Sequence, residues 1–347
     1  MDDKAVQSRL DEWQIDEIFF RDYYEAMEDG RPTQEILQRP EVRESDKRFA
    51  KDPSTEGGIF NESRFFEEGR NVILVKHPRF CPYFEHRHAF FEMLYVVRGH
   101  CTEVTNDRTV EMRGGDLCLL APNVVHGLRV FQDSIVINLL IRHSTFEDIF
   151  LHAIRDKSQI ALFFLGNLYQ KKPIRYLLYH TEQDEVLREC ILEMYEEQNF
   201  EDEYSDRIIC SLLTIFFNKL TRRHGKTVEI PDMEERKSPY SDEMLSYIME
   251  NYQSVTLNEL AEHFHFSVPY CSKLIKTISG SSFSDLISSV RLQKGENLLS
   301  ITQMSIADIS EQIGYRNPET FIRAFSRAYR MTPSQYRKSK LVPQLSS

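Results

Sequence analysis

The chain has 347 residues, 41% of them hydrophobic and 28% charged, with 43 lysines and arginines against 54 aspartates and glutamates. That length predicts two or three domains, the composition excludes a disordered chain, and the longest apolar run, Ile160 to Leu165, is far short of the ~20 residues that a membrane-spanning helix needs. The formal charge of −11 speaks against a polyanionic partner for the chain as a whole, but it is segregated: residues 1–239 carry 32 basic and 44 acidic side chains, residues 240–347 carry 11 and 10.

Residues 1–60 are acidic and mostly polar. Ile15, Ile18, Phe19, Tyr23 and Ala26 share one helix face, but Pro32, Pro40, Pro53 and Gly57-Gly58 interrupt any long element. This segment is expected to be an arm outside any core. The start, Met1-Asp2-Asp3-Lys4, has no apolar stretch of the kind a secretion signal needs. Six scattered cysteines without a C-x-x-C pair predict reduced thiols and a cytoplasmic protein.

Between residues 61 and 145 short β-rich runs alternate with turn signals: Asn71–Val75, Phe90–Val97, Cys101–Thr105, Asp116–Leu120 and Ser134–Ile141. Many short strands at this spacing predict an all-β sandwich or barrel. Along a continuous strand, residues 86, 88 and 92 share a face. The stretch His86-Arg87-His88-x-x-x-Glu92-x6-Gly99 resembles the first motif of the cupin barrel, and Gly115-x6-Pro122-x3-His126 resembles the second. In metal-binding cupins the corresponding residues hold the metal, which makes His86, His88, Glu92 and His126 the alternative metal set. Val124 and Val130, where the motif has glycine and asparagine, count against it.

Helical periodicity starts after Phe146. Val186, Leu187, Cys190, Ile191 and Met194 mark one helix, and the more continuously apolar stretch from Ser205 to Arg222 marks a second. Residues 146–225 are read as a helical dimerisation region. Residues 226–240, with Pro231 and Pro239, are read as a linker.

Residues 241–340 hold an internal repeat. Thr256 to Phe264 and Ser305 to Ile313 each open with a Ser or Thr, an acid three residues later and one apolar face, the pattern of a capping box. Each is followed by a short turn and a second helix, from about Val268 and from Pro318. This is a duplicated helix-turn-helix, whose second helices would enter successive major grooves ~34 Å apart. A connecting helix over 284–300 would span ~25 Å at ~1.5 Å per residue. The stretch 316–347 gathers seven basic residues, Arg316, Arg323, Arg327, Arg330, Arg337, Lys338 and Lys340, against Glu319.

Gly314-Tyr315, Phe321-x-Arg323-x-Phe325, Pro333, Tyr336-Arg337 and Arg291-Leu292 resemble the signature of the arabinose-regulator (AraC/XylS) transcription factors. Two positions depart from it: Gly295 stands where the family usually has alanine, and Arg330 where it usually has glycine. The resemblance implies DNA contacts at Pro269, Tyr270 and Lys273 in the first unit and at Asn317, Glu319, Thr320, Arg323 and Arg327 in the second. It also implies a small-molecule pocket in the barrel, commonly for a sugar, with Tyr83, His86, His88, Glu92, Tyr95 and His126 as its polar groups.

The expectation is an α+β multidomain chain: an N-terminal cupin-like β-barrel plus helices, and a C-terminal all-α duplicated helix-turn-helix. It would act as a transcriptional regulator without a cofactor. Its expected partners are promoter DNA, a small-molecule effector, RNA polymerase and a second copy of itself, with no membrane. The alternative is a metal-dependent cupin enzyme fused to a DNA-binding module.

Overall fold

The β-rich stretch folds as two sheets. In the computed structural model, which describes residues 3–56, 58–67, 69–105, 108–131, 134–142, 159–169, 174–200, 202–230 and 240–341, the chain divides into two units, 1–160 with 174–234 and 161–173 with 235–347. The predicted helix onset at Phe146 and the linker residues 231–239 lie outside the described residues.

In the first unit, β2 (Val72–Lys76), β4 (Phe91–Arg98), β7 (Leu117–Leu120), β9 (Ile135–Ile141) and β10 (Tyr176–Tyr179) form an antiparallel sheet in the order β10-β7-β4-β9-β2. A second antiparallel sheet orders β6 (Arg108–Arg113), β5 (His100–Thr105) and β8 (His126–Val130). The pair β1 (Ile59–Phe60) and β3 (Arg87–His88) is parallel, and His86 bridges His126. Among the described residues no ladder closes the two sheets into a continuous barrel.

Besides the two-residue β1 and β3, the strands β6, β8 and β10 lie outside the predicted runs, for separate reasons. β6 is polar and exposed at most positions, β8 contains Gly127, and β10 lies in the stretch read as helical, yet pairs with β7. Strands β7 and β10 are buried at every position, because both sheet faces are covered, and that removes the alternation.

Part of that cover is the hairpin of α7 (Glu185–Glu197) and α8 (Ser205–His224), both of which pack on β2. The Gln198 side chain accepts from Leu74 N–H (2.6 Å) and donates to Leu74 C=O (2.7 Å), standing in for a further strand along β2. This satisfies edge groups that would otherwise be open to pairing.

The first 60 residues are not an arm. Helices α1 (Asp3–Asp11), α2 (Ile15–Glu28), α3 (Gln34–Leu37) and α4 (Glu44–Lys51) precede a short α5 (Glu62–Phe65). Phe19, Phe20, Val42 and Phe49 are buried in a cluster with Phe80, Cys81 and Phe84. A buried ion cluster fastens α2 to the sheet: the Glu17 carboxylate accepts from Lys76 Nζ (2.9 Å) and from Arg79 Nε (3.0 Å) and a terminal guanidinium nitrogen (2.9 Å). Burial opposes the charge on Glu17, but the bonds from Arg79 and Lys76 hold its carboxyl below the ordinary value.

The expected helical block 146–225 is split. Residues 174–225 stay with the strands, whereas α6 (Gln159–Tyr169) falls mostly in the second unit, where Tyr169 OH donates to Gln293 Oε1 (2.6 Å).

The rest of the second unit comprises α9 (Ser241–Asn251), α10 (Leu257–His263), α11 (Val268–Ser279), α12 (Phe283–Ile301), α13 (Ile306–Gln312), α14 (Pro318–Tyr329) and α15 (Pro333–Leu341). Thr256 and Glu259 form a reciprocal capping box, and Ser305 Oγ accepts from Asp308 N–H (3.1 Å). Gly280 ends α11 in the left-handed region (φ 76°), and Arg330 ends α14 there as well (φ 60°). The departure at Arg330 therefore leaves the helix stop in place, at the steric cost that a side chain incurs in that region. Gly314 turns at φ 88° with its Cα against the Gln253 backbone, where a Cβ would come within 2.2 Å of the carbonyl oxygen.

Several signature residues are structural. Arg291 donates to the carbonyls of Tyr252 and Gln253, both at 2.9 Å. Glu296 accepts from Tyr329 OH and Tyr336 OH.

Candidate ligand pocket and nucleic-acid interface

A cavity of about 360 Å³ opens in the first unit, lined on one side by sheet residues and on the other by α2, α4 and α5. That volume is within the range of small-molecule sites, ~300–1,000 Å³. Four of the six sequence-predicted residues line it: His86, His88, Glu92 and His126.

The other two do not. Tyr95 is on β4 three residues from Glu92, and side chains alternate, so it faces the opposite side of the sheet, fully buried. Tyr83 lies outside the lining, under the Arg129 guanidinium, 4.4 Å from the ring centre.

Glu92 is the hub. Its Oε2 contacts His88 Nε2 (2.8 Å) and His126 Nε2 (3.0 Å), and its Oε1 accepts from Asn138 Nδ2 (2.8 Å). The Nδ1 atoms of His88 and His126 face the carbonyls of Phe90 (2.6 Å) and Val124 (3.1 Å). Each of these imidazoles thus has both nitrogens against oxygen.

Burial lowers the pKa of His126, but the Glu92 bond and the charge of Glu103 outweigh it, and the net value is raised to about 9. Burial likewise opposes ionisation of Glu92, yet the two imidazoles hold its carboxyl well below the ordinary range. His86 has no such carboxylate bond, and burial brings it down to about 3, so it is neutral.

The donors His86, Glu92 and His126 lie within 4.8 Å of one another. His88, the fourth residue of the cupin-like set, is not among these three donors. The Nε2 atoms of His88 and His126 are also directed at Glu92, not at a common point. The set therefore fits a hydrogen-bond network better than a metal centre.

Sequence reasoning missed the half of the cavity that the N-terminal helices supply, including Asp16, Phe20, Arg43 and Phe49. It also missed His77 and Asn138. Asn138 carried a signal, since it is the single polar residue in the strand Ile135–Ile141.

In the second unit the recognition-type helices α11 and α14 each bury one face and expose the other. Cys271, Leu274, Ile275 and Ile278 point inward on α11, as do Phe321 and Phe325 on α14. Pro269, Tyr270 and Lys273 are exposed on α11, and Asn317, Glu319, Thr320, Arg323 and Arg327 at and along α14. Asn317 is partly committed, because its Oδ1 accepts from Glu319 N–H (2.8 Å) as the helix cap. Only its amide NH₂ is left, whereas a bidentate adenine contact needs both groups. Arg337, counted with the basic cluster from the sequence, donates to Met304 C=O (2.6 Å).

Two family models match the chain: an AraC-like ligand binding domain over residues 81–213 and a helix-turn-helix domain over residues 260–339. An uncharacterized HTH-type transcriptional regulator of Bacillus subtilis, YtdP, is 36% identical over 101 residues, 29% of this chain and 13% of that one. The melibiose operon regulatory protein of Escherichia coli K12 is 32% identical over 125 residues, 36% of this chain and 40% of that one. A second uncharacterized B. subtilis regulator, YfiF, is 26% identical over 262 residues, 73% of this chain and 78% of that one. The chain thus spans less than half the length of the first two of these relatives.

Proposed function

Because the chain belongs to the AraC/XylS family of transcriptional regulators, we propose that it binds promoter DNA through α11 and α14 under the control of a small molecule held in the cavity of its strand-rich unit. The observation that carries this reading is the pairing of a built, partly polar cavity with two exposed recognition-type helix faces in one chain. A ligand changes DNA occupancy only if it binds one conformation more tightly than another. The melibiose operon relative supports a sugar as the effector class.

The protein acts as a homodimer in this reading. Tyr204, which caps α8, and Ile208, Ser211, Ile215, Asn218 and Arg222 on it recur at spacings of four and three and are all exposed, with Ile208 at 41% and Ile215 at 47%. This is the spacing of a two-helix seam.

The test is binding of the full chain to the DNA upstream of its own gene, at several salt concentrations, with and without melibiose and related sugars. The expected result is sequence-selective binding that a sugar shifts. Binding without sequence preference under every condition would overturn the reading.

A further inference from the structure

The sheet side of the cavity carries a row of polar groups across three neighbouring strands. Asn138 on β9 pairs in register with Val75 on β2 and with Leu94 on β4. His77 follows β2 and donates its backbone N–H to Val136 C=O (2.9 Å). Period-two alternation therefore puts His77, Asn138 and Glu92 on one face, with neighbouring strands ~4.8 Å apart. All three line the cavity.

The row is not satisfied. Asn138 gives its amide NH₂ to Glu92, and its Oδ1 is buried with no hydrogen-bond partner. The Nε2 of His77 is likewise buried and unpartnered. Burial lowers the His77 pKa to about 4, so the ring is neutral. Glu92 accepts three hydrogen bonds, and a carboxylate has about four acceptor sites.

A buried polar atom left without a partner forgoes the hydrogen bond it makes in water, so such atoms in a cavity wall mark where a ligand group would gain most. The opposite wall carries Phe20, Phe49, Phe60, Phe65 and Phe84 beside the charged Asp16, Arg43, Asp46 and Arg64.

We infer that Asn138 and His77, neither of which belongs to the histidine and glutamate motif, are the specificity-determining contacts of the cavity, and that they take the hydroxyl groups of an uncharged polyol. One hydroxyl donates to Asn138 Oδ1, and a second exchanges a hydrogen bond with His77 Nε2. The remaining acceptor site of Glu92 takes a third, while the C–H face of the ligand lies on the phenylalanines. At this row an anionic ligand is disfavoured, because its charge would face the Glu92 carboxylate and Asn138 Oδ1. The inference rests on the reading of the cavity as the effector site.

The test uses the full-length protein and thermal stabilisation as the readout of binding. Three probe sets are compared: neutral sugars (galactose, glucose, melibiose), the matching hexuronates, and benzoate with octanol as the anionic aromatic and the apolar probe. A neutral sugar is expected to raise Tm and its hexuronate to leave it unchanged. His77→Phe and Asn138→Leu should bind that sugar about tenfold more weakly. His77→Phe should meanwhile melt no lower than wild type without ligand, since it removes an unpartnered buried nitrogen and keeps the ring.

Stabilisation by a hexuronate, benzoate or octanol in place of the neutral sugars would overturn the inference and leave the effector reading standing. So would wild-type sugar affinity in both variants. Failure of all three probe sets would overturn the effector reading and the inference with it.

Discussion

Gly295 on α12 lies directly against the ring of Phe321 on α14: a Cβ built on the glycine would stand 2.9 Å from Phe321 Cε2 and 3.0 Å from Ile313 Cδ1. The family usually has alanine at this position, and alanine favours a helix over glycine by ~1 kcal/mol. Here the close approach of the two helices uses the missing side chain. Overpacking a core costs ~1–3 kcal/mol, more than the helix gains. Gly295→Ala is therefore expected to lower stability by ~1 kcal/mol, read as a lower urea midpoint at unchanged slope. A rise in the midpoint would show that Phe321 and Ile313 move aside freely.

Glu17→Ala should act on fold and pocket together. It leaves Lys76 and Arg79 buried without their shared carboxylate, a defect that costs ~3–5 kcal/mol. Helix α2, which brings Asp16 and Phe20 to the cavity, loses its anchor. Denaturant unfolding should show the loss, and limited proteolysis should show early cleavage within residues 3–56. Protection equal to wild type would mean that the phenylalanine cluster alone holds the helices.

Stability should fall as pH rises above neutrality. His126 is raised from 6.5 to about 9, so its contribution is complete below pH 6.5 and is lost as pH rises through about 9. Glu103 is fully buried with neither oxygen partnered, and burial pushes its carboxyl from 4.5 up to about 8, so folding is opposed increasingly between those values. Glu103→Gln should melt higher than wild type at pH 8, with a smaller difference at pH 5. His77 and His86, lowered to about 4 and about 3, act in the opposite sense and lose their contribution as pH falls below 6.5. Thermal melts of both proteins from pH 4 to pH 9 check the signs, and parallel curves would refute the Glu103 assignment.

Two arginines of the C-terminal basic cluster should separate by function. Arg323→Ala should lose ~1–3 kcal/mol of specific DNA binding if the guanidinium pairs with a base, with a much smaller effect on unrelated sequences. Arg337→Ala removes the bond to Met304 C=O and should lower the melting temperature more than it changes the salt dependence of DNA binding. Binding titrations on specific and scrambled duplexes, alongside melts, distinguish the two.

Ile215→Asp places a charge in the middle of the exposed α8 seam without touching the buried face formed by Leu213, Phe216 and Phe217. The variant is expected to fold and to sediment as a monomer at concentrations where wild type is a dimer. A wild-type mass would place the dimer contact elsewhere.

The sequence by itself determined what depends on local periodicity. The repeat at Thr256 and Ser305 opened two matching helix pairs, because capping is read within a few residues; the histidines that line the cavity were marked by the resemblance to the cupin motifs and not by the pleat of one strand, since β3 ends at His88 and β4 begins at Phe91. Tyr95 was misassigned although strand alternation excludes it from the Glu92 face.

Only the tertiary structure decided what depends on distant partners. The first 60 residues read as polar, yet Glu17 is buried because Lys76 and Arg79 meet it there, and Phe20 and Phe49 become cavity wall for the same reason. β10 reads as part of a helical stretch, yet it pairs with β7 in a sheet that is covered on both faces. Asn317 reads as a free DNA contact and Arg337 as one of a cluster of free basic residues until the backbone atoms they bond come into place. A side chain's type is written in the chain, but whether its polar atoms are still available depends on neighbours that only folding supplies.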